Sequence, residues 1–286
     1  MTSATPIGAH VPTGRGLAAH AFPYLCEIGA ETLQVFVGNP RGWRAAAGDP
    51  EQDERFRALC DEHDVPAFVH APYLVNVGSP TEQTFRNSVA SVVHNLKRGS
   101  EIGARGVVVH TGSSVTEGNV DAAMSQIRDG LLPVLDALDD DSPQLLLEPT
   151  AGQGRSLCAG VDDLEPYLDV LDRHPKVGIC LDTCHVFAAG APLDEPGGMA
   201  ATLDRVVEIG GPGRLQLVHA NDSQDVRGSF RDRHERIGRG RIGEGAFAEM
   251  IAHPAMPGVA VVLETPGGAD AWIDDIARLQ DLRDRR

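Results

Sequence analysis

The chain has 286 residues, 42% of them hydrophobic, so it can bury a substantial core in one or two domains. It shows neither a segment of signal-peptide shape nor the roughly 18 consecutive apolar residues that span a bilayer, which disfavours secreted and membrane proteins. The net charge of −16 argues against general nucleic-acid affinity, and five unevenly spaced cysteines indicate reduced thiols in a cytoplasmic protein.

Eight short apolar runs predict strands that are buried on both faces. They cover residues 7–10, 33–37, 67–70, 107–110, 145–148, 179–182, 217–219 and 261–264. Helical periodicity is present near residues 16–29, 52–63, 81–103, 119–137, 161–173, 198–210, 245–253 and 269–283. This alternation of strand and helix predicts an α/β protein, a single (β/α)8 TIM barrel domain spanning residues 1–286.

Six of the predicted strands end in a residue that binds divalent metal ions. These residues are His70, His110, Glu148, Asp182, His219 and Glu264. An acid or imidazole at the end of a fully buried strand has no packing role. The strand ends of a parallel barrel meet at one rim, where active sites lie. The pattern therefore predicts a metal site at that rim.

Two further motifs extend this set of candidate ligands. His185 follows Asp182 by three residues, so the two side chains can face different ions. Asp232 and His234 are two residues apart, and in an extended segment they point to the same side. The resulting five histidines and four carboxylates suit zinc, with manganese as an alternative. Nine protein ligands are too many for one or two ions and indicate three, with one bridging carboxylate.

Arginine is concentrated in one segment of this acidic chain. Six arginines fall between positions 227 and 241, whereas the whole chain contains two lysines. This composition fits either a solvated loop or a rim that faces phosphate groups, to which the arginine fork is suited. Sequence alone leaves both interpretations open.

Several motifs, taken together, resemble the endonuclease IV family. They are Ile7-Gly8-Ala9-His10-Val11, His70-Ala71-Pro72-Tyr73-Leu74-Val75-Asn76, Glu148-Pro149-Thr150-Ala151-Gly152-Gln153-Gly154, Asp182-Thr183-Cys184-His185, His219-Ala220-Asn221-Asp222-Ser223 and Gly228-Ser229-Phe230-Arg231-Asp232-Arg233-His234. The resemblance runs in order from residue 7 to about residue 266, and all nine candidate ligands match. Members of this family are zinc-dependent apurinic/apyrimidinic endonucleases on a (β/α)8 barrel.

The resemblance implies three zinc ions per chain, with Glu148 bridging the first two. The first ion is completed by His70 and His110. The second is completed by Asp182, His219 and Glu264. The third is held by His185, Asp232 and His234.

The resemblance also implies a reaction and a partner. Activated water attacks the phosphorus 5′ to an abasic site in duplex DNA, leaving a 3′-hydroxyl and a 5′-deoxyribose phosphate. The catalytic residues are Glu148 and Glu264, and Glu264 orients the water or takes its proton. The residues expected to contact DNA are Arg41, Tyr73 and Leu74 at the lesion, with Arg231 and Arg233 in the arginine-rich segment. A monomer is expected.

The main alternative is a sugar or sugar-phosphate isomerase or epimerase on the same barrel, which uses one ion and four of the strand-end residues. Such an enzyme has no need for Asp232 and His234. A non-enzymatic metal-binding barrel is a third possibility. The chain departs from the family pattern at Pro149, where asparagine is usual, at Arg239, where an acid is common, and in its acidic charge.

Overall fold

The computed structural model describes residues 4–285. Its strands, in chain order, are β1 (Ile7–His10), β2 (Thr32–Val35), β3 (Ala67–His70), β4 (Gly106–His110), β5 (Gln144–Glu148), β6 (Val177–Asp182), β7 (Leu215–His219), β8 (Asp222–Ser223), β9 (His234–Glu235) and β10 (Ala260–Leu263). Strands β1 to β7 and β10 are parallel neighbours in chain order and close into a barrel, as predicted. The short strands β8 and β9 pair antiparallel above it.

Helices form the outer layer. A π-helical turn (Leu17–Ala21) runs into α1 (Phe22–Glu27). The others are α2 (Pro50–Glu62), α3 (Glu82–Glu101), α4 (Val120–Asp136), α5 (Leu164–Val170), α6 (Thr183–Ala189), α7 (Gly198–Gly210), α8 (Glu244–Ala252) and α9 (Gly268–Asp284). No helix within residues 4–285 is long and apolar enough to cross a membrane.

The barrel interior is filled by an apolar cluster, and this cluster determines what lies above it. Its residues are Phe68, Val108, Leu146, Cys180, Leu217, Ala260 and Val262. Side chains alternate across a strand, so the residue two positions later also points inward. On six strands that next inward position is a candidate ligand, for example His70 after Phe68 and Glu148 after Leu146. The candidate ligands therefore form the polar layer that closes the barrel core.

Two local elements differ from the sequence prediction. The short helix α6 was not predicted, because seven residues give too little periodicity and it begins directly after β6. The β8–β9 ribbon was also missed, since its two-residue strands carry no hydrophobic pattern. All five cysteines are free and four are buried, which agrees with the expectation of mostly buried thiols.

Candidate metal centre

The first group of candidate ligands comes from β3, β4 and β5. The strand register places His110 beside Glu148. Nε2 of His70 lies 3.2 Å from Oε2 of Glu148, and Nε2 of His110 lies 3.3 Å from the same oxygen. His70 and Glu148 are buried, whereas the side chain of His110 is 23% exposed. The group is therefore fixed from below by the barrel and open towards solvent above His110.

The second group comes from β6, β7 and the residue after β10. Asp182 and His219 are register partners on adjacent strands. Nδ1 of His219 lies 3.8 Å from Oδ2 of Asp182, 3.6 Å from Oε2 of Glu264 and 3.1 Å from Oε1 of Glu148. The two oxygens of Glu148 thus face different groups, which is the arrangement that a bridging carboxylate requires.

Asp182 also positions the next candidate ligand. Its Oδ1 accepts a hydrogen bond from the backbone N–H of His185 at 3.0 Å and so caps the N-terminus of α6. Its Oδ2 remains directed towards the centre and accepts from Asn221 at 2.7 Å. One aspartate therefore starts the helix that carries His185 and contributes an oxygen to the second group.

The third group joins α6 to the long loop between β8 and α8. Nε2 of His185 lies 3.2 Å from Oδ2 of Asp232, and Nε2 of His234 lies 3.0 Å from Oδ1 of Asp232. The expectation that Asp232 and His234 point to the same side is confirmed by this contact. Within each of the three groups, the ligand atoms lie within 4.8 Å of one another.

The loop that carries Asp232 and His234 is closed by one buried carboxylate. Asp222 accepts hydrogen bonds from the backbone N–H groups of Ser223, Gly240, Ile242 and Gly243, at 2.8 to 3.3 Å. Gly240 approaches so closely that a Cβ atom there would lie 2.5 Å from Oδ1 of Asp222. Both ends of the loop therefore meet at Asp222.

The electrostatics of the centre favour charged forms despite burial. Burial alone would lower the pKa of His234, but the charge of Asp182 and the hydrogen bond to Asp232 outweigh it and raise this pKa to about 9. Burial opposes ionisation of Glu264 as well, yet His219 and His10 hold its pKa well below the ordinary range. Glu264 is therefore ionised, and its negative charge attracts cations.

Three imidazoles are oriented by backbone carbonyl groups. Nδ1 of His70 donates to the carbonyl of Ala71, Nδ1 of His185 to that of Pro149, and Nδ1 of His234 to that of Glu264. The distances are 2.7 to 3.2 Å. Each ring is left with Nε2 directed into the centre. The Pro149 departure thus keeps a backbone contact to the site, because a proline carbonyl accepts as well as any other.

Sequence reasoning missed three polar residues next to the centre. Asn221 donates to Asp182, and its amide oxygen accepts from the backbone N–H of Glu264 at 2.9 Å. Gln34 contacts Glu264 and His219, and Asp222 holds the loop. A signal was available for Gln34, which interrupts an apolar run, and for Asn221 and Asp222, which directly follow a strand end. His10, at the end of the first strand, lies 3.1 Å from Glu264.

The residues expected at the lesion lie together at one edge of the rim. The backbone N–H of Tyr73 donates to the carbonyl of Pro40, which joins the loop of Tyr73 and Leu74 to the loop of Arg41. The Tyr73 ring stacks at 6.0 Å from His110 and is 51% exposed, and Leu74 and Arg41 are also exposed. An aromatic ring and an aliphatic side chain thus project beside the first group.

The arginine-rich segment is divided between paired and free side chains. Arg233 forms a two-pronged ion pair with Asp225, with both distances 2.6 Å. Arg227 contacts Glu195, and Arg236 contacts Asp275. Arg231 is 68% exposed, with a 3.8 Å contact to Asp225. Arg231 is therefore more available to a ligand than Arg233.

The residues present fit divalent metal ions. Within the described chain, the buried Nε2 atoms of His185 and His234 face carboxylate oxygens without forming a hydrogen bond of normal geometry. Imidazole nitrogens and carboxylate oxygens are the donors that zinc and manganese prefer. The oriented rings, the ionised carboxylates and the three compact groups are what such ions require.

Comparison with known proteins agrees with the fold. A family model described as xylose isomerase-like TIM barrel matches residues 22–282. The chain is 54% identical over 283 residues to a probable endonuclease 4 of Streptomyces avermitilis, covering 99% of this chain and 91% of that protein. It is 55% identical over 280 residues to a probable endonuclease 4 of Streptomyces coelicolor, covering 98% and 95%.

Solved structures give the same result. Endonuclease IV from Thermus thermophilus superposes with a TM-score of 0.85 and 31% identity, covering 98% of this chain and 100% of that one. A D-tagatose 3-epimerase-like protein matches with a TM-score of 0.72 but only 19% identity, which shows a shared barrel alone. The chain therefore belongs to the endonuclease IV family, enzymes built on the xylose isomerase-like TIM barrel.

Proposed function

We propose that this protein is a DNA-repair endonuclease that uses three zinc ions to hydrolyse the phosphodiester 5′ to an abasic site in duplex DNA. The products are a 3′-hydroxyl and a 5′-deoxyribose phosphate. The observation that carries the proposal is the convergence of three ligand groups on one rim, with the two oxygens of Glu148 facing two of them. Family membership supports the assignment as a nuclease.

The three groups would hold one ion each, with Glu148 shared between the first two. The first group is His70, His110 and Glu148. The second is Asp182, His219 and Glu264. The third is His185, Asp232 and His234. Bound zinc lowers the pKa of water towards about 7 and neutralises charge on phosphate oxygens.

Glu264 is the residue that orients the attacking water. Its side chain is 17% exposed, so it reaches the substrate side of the centre, where its carboxylate, whose pKa is held below the ordinary range, can orient the attacking water by accepting a hydrogen bond from it. Water oxygen bonds to phosphorus, the bond from phosphorus to the 3′ oxygen breaks, and that oxygen leaves to be protonated. The group around Asp232 lies nearest the solvent and is the one suited to the leaving oxygen.

Lesion recognition depends on the exposed edge. Tyr73 and Leu74 fill the base stack and Arg41 contacts the strand, while the abasic nucleotide turns out of the helix. A cavity of about 240 Å³ beside the centre, lined by Tyr73, His110, Gln153 and Asp232 among others, receives it. Turning out a nucleotide that has no base to unpair costs least, which gives the selectivity.

The isomerase alternative explains less of the molecule. One ion would need only the strand-end residues and would leave the third group, with its dedicated loop, without a role. It would also leave Tyr73 exposed for no reason. We propose further that the enzyme acts as a monomer, because each group is completed within one chain. We also propose that it works in the cytoplasm, where its five free cysteines would stay reduced. Manganese at one or more positions is an alternative to zinc.

A cleavage assay tests the proposal. Zinc-loaded protein should nick a duplex that contains one synthetic abasic site, leave the matched intact duplex uncut, and lose activity when a chelator is added. Elemental analysis should give about three ions per chain. Absence of cleavage by protein that carries three ions would refute the nuclease, and a single ion with sugar isomerisation would favour the alternative.

A further inference from the structure

The polar layer at the top of the barrel contains Gln34, to which the proposed metal centre assigns no role. Gln34 occupies the last inward position of β2 and is fully buried. Its amide makes two hydrogen bonds to candidate ligands on distant strands. Nε2 of Gln34 donates to Oε1 of Glu264 at 2.7 Å. Oε1 of Gln34 lies 2.9 Å from Nε2 of His219.

The direction of this amide is set by chemistry. The amide nitrogen of Gln34 donates to Oε1 of Glu264 at 2.7 Å, so the amide oxygen points to the other side. The amide oxygen then faces His219, and because that oxygen only accepts, Nε2 of His219 must carry the proton. The ring therefore has Nδ1 as the nitrogen on the side of the centre, available to an ion.

His219 differs in this respect from the other oriented histidines. His70, His185 and His234 donate from Nδ1 to a backbone carbonyl and present Nε2. His219 presents Nδ1 instead, which lies 3.1 Å from Oε1 of Glu148, and its outer nitrogen is held by a side chain. Its orientation can therefore be changed by one substitution, whereas a backbone carbonyl cannot be removed in this way.

Gln34 also selects the oxygen that Glu264 presents. Oε1 of Glu264 receives Gln34 and lies 3.1 Å from Nδ1 of His10. Oε2 is left towards the second group, 3.6 Å from Nδ1 of His219. One amide thus fixes two of the three ligands of that group from the side opposite the centre.

We infer that Gln34 is a positioning residue that fixes the tautomer of His219 and the carboxylate orientation of Glu264, and so determines the affinity of the ion in the second group. The inference rests on the proposed function. Loss of such an outer partner typically weakens metal binding about 10–100-fold. The bonds from Gln34 to His219 and Glu264 both reach the second group, so the first and third groups should keep their ions.

The experiment uses full-length zinc-loaded protein and the variant Gln34→Met, which at similar volume removes the hydrogen bonds to Glu264 and His219 together with the 2.9 Å contact to Nδ1 of His10. Dialysis against graded concentrations of a competing chelator should remove one ion from the variant at about 10–100-fold lower chelator strength than from wild type. The control is Gln144→Met at the start of β5, the end of that strand away from the centre. The Gln144 amide bonds the carbonyl of Pro175, and this variant should behave as wild type.

A second measurement distinguishes loss of the His219 orientation from a general loss of order in the barrel. Nitrogen-15 NMR of histidine-labelled protein should show a protected Nε2 proton on His219 in wild type and lose it in Gln34→Met. If that variant fails to fold, Gln34→Asn, too short to make both bonds, should give the same loss of one ion. Unchanged zinc affinity together with an unchanged His219 signal would overturn the inference.

Failure of the proposed function gives a different result. An isomerase would hold one ion through Glu148, Asp182, His219 and Glu264, and wild-type protein would then contain one ion rather than three. Gln34→Met should still weaken that ion, because two of its ligands remain those that Gln34 orients. The number of ions bound by wild-type protein thus tests the proposed function, and the affinity of the variant for its ion tests the role of Gln34.

Discussion

The centre is assembled from two kinds of structure, and they differ in how firmly they hold their side chains. The strand ends carry Glu148, Asp182 and His219, which are fully buried and fixed by barrel register. The loop between β8 and α8 carries Asp232, whose side chain is 35% exposed, and His234, at 16%. A parallel barrel positions ligands through its whole fold, whereas the loop depends on a few local bonds.

The largest expected effect is at the strand ends. Glu148→Gln removes the carboxylate whose oxygens face the first and second groups, and an uncharged amide cannot bridge two cations. We expect loss of at least one ion and a fall in turnover of several orders of magnitude, measured by elemental analysis and nicking of abasic duplex. Full turnover in this variant would contradict the bridging role.

The next effect concerns the loop alone. Asp232→Ala should empty the third group and reduce turnover by several orders of magnitude, while two ions remain. Asp225→Ala, which removes a carboxylate from the same loop but outside the group, serves as the control and should keep three ions. If both variants lost ions from all groups, the loop and the strand ends would be one unit rather than two.

A smaller effect is expected at the exposed edge of the rim. Tyr73→Ala should weaken lesion binding, since stacking of a base on an aromatic ring is worth about 1–3 kcal/mol, or roughly 5- to 150-fold in affinity. We expect this mainly in KM, with kcat changed much less. Tyr73→Phe retains the ring and should bind nearly as well as wild type. A selective loss of kcat would instead place Tyr73 in the chemistry.

The smallest effect distinguishes two arginines of the loop. Arg231 is largely unpaired, so Arg231→Ala should reduce the slope of log affinity against log salt by about 0.9, as expected for one lost phosphate contact. Arg233 is bound to Asp225, and Arg233→Ala should change the slope less. Equal slopes in both variants would show that the pair opens on DNA.

Much of this could be predicted from the sequence, for a physical reason. Strands buried on both faces are continuous apolar runs, so a terminal His, Asp or Glu is conspicuous, and parallel topology alone brings such ends together. Asp232 and His234 are brought in by the turn at Asp222, whose bonds to Gly240 and Ile242 span 18 and 20 residues of the chain. The spacing of residues in the sequence does not indicate that Asp222 bonds these distant backbone groups.

The role of Gln34 could not be predicted from the sequence either. A buried glutamine in a strand is ordinarily explained by any nearby partner, and its two partners here are 185 and 230 residues away in the chain. Only the closed barrel places β2, β7 and β10 within reach of one amide. Roles that depend on contacts across the barrel therefore required the structure, whereas roles that depend on a strand end did not.

The closure of the loop at Asp222 means that the loop is anchored to the barrel at its base. Gly240, Ile242 and Gly243 are held by the carboxylate, and β8 and β9 pair just inside it, so Asp232 and His234 are positioned from the loop base. The tip around Val226 and Phe230 is exposed. The backbone N–H groups of Gly228 and Phe230 nevertheless donate to the carbonyls of Phe187 and Ala188, at 3.2 and 3.0 Å, so the tip also ties the loop to the helix that carries His185.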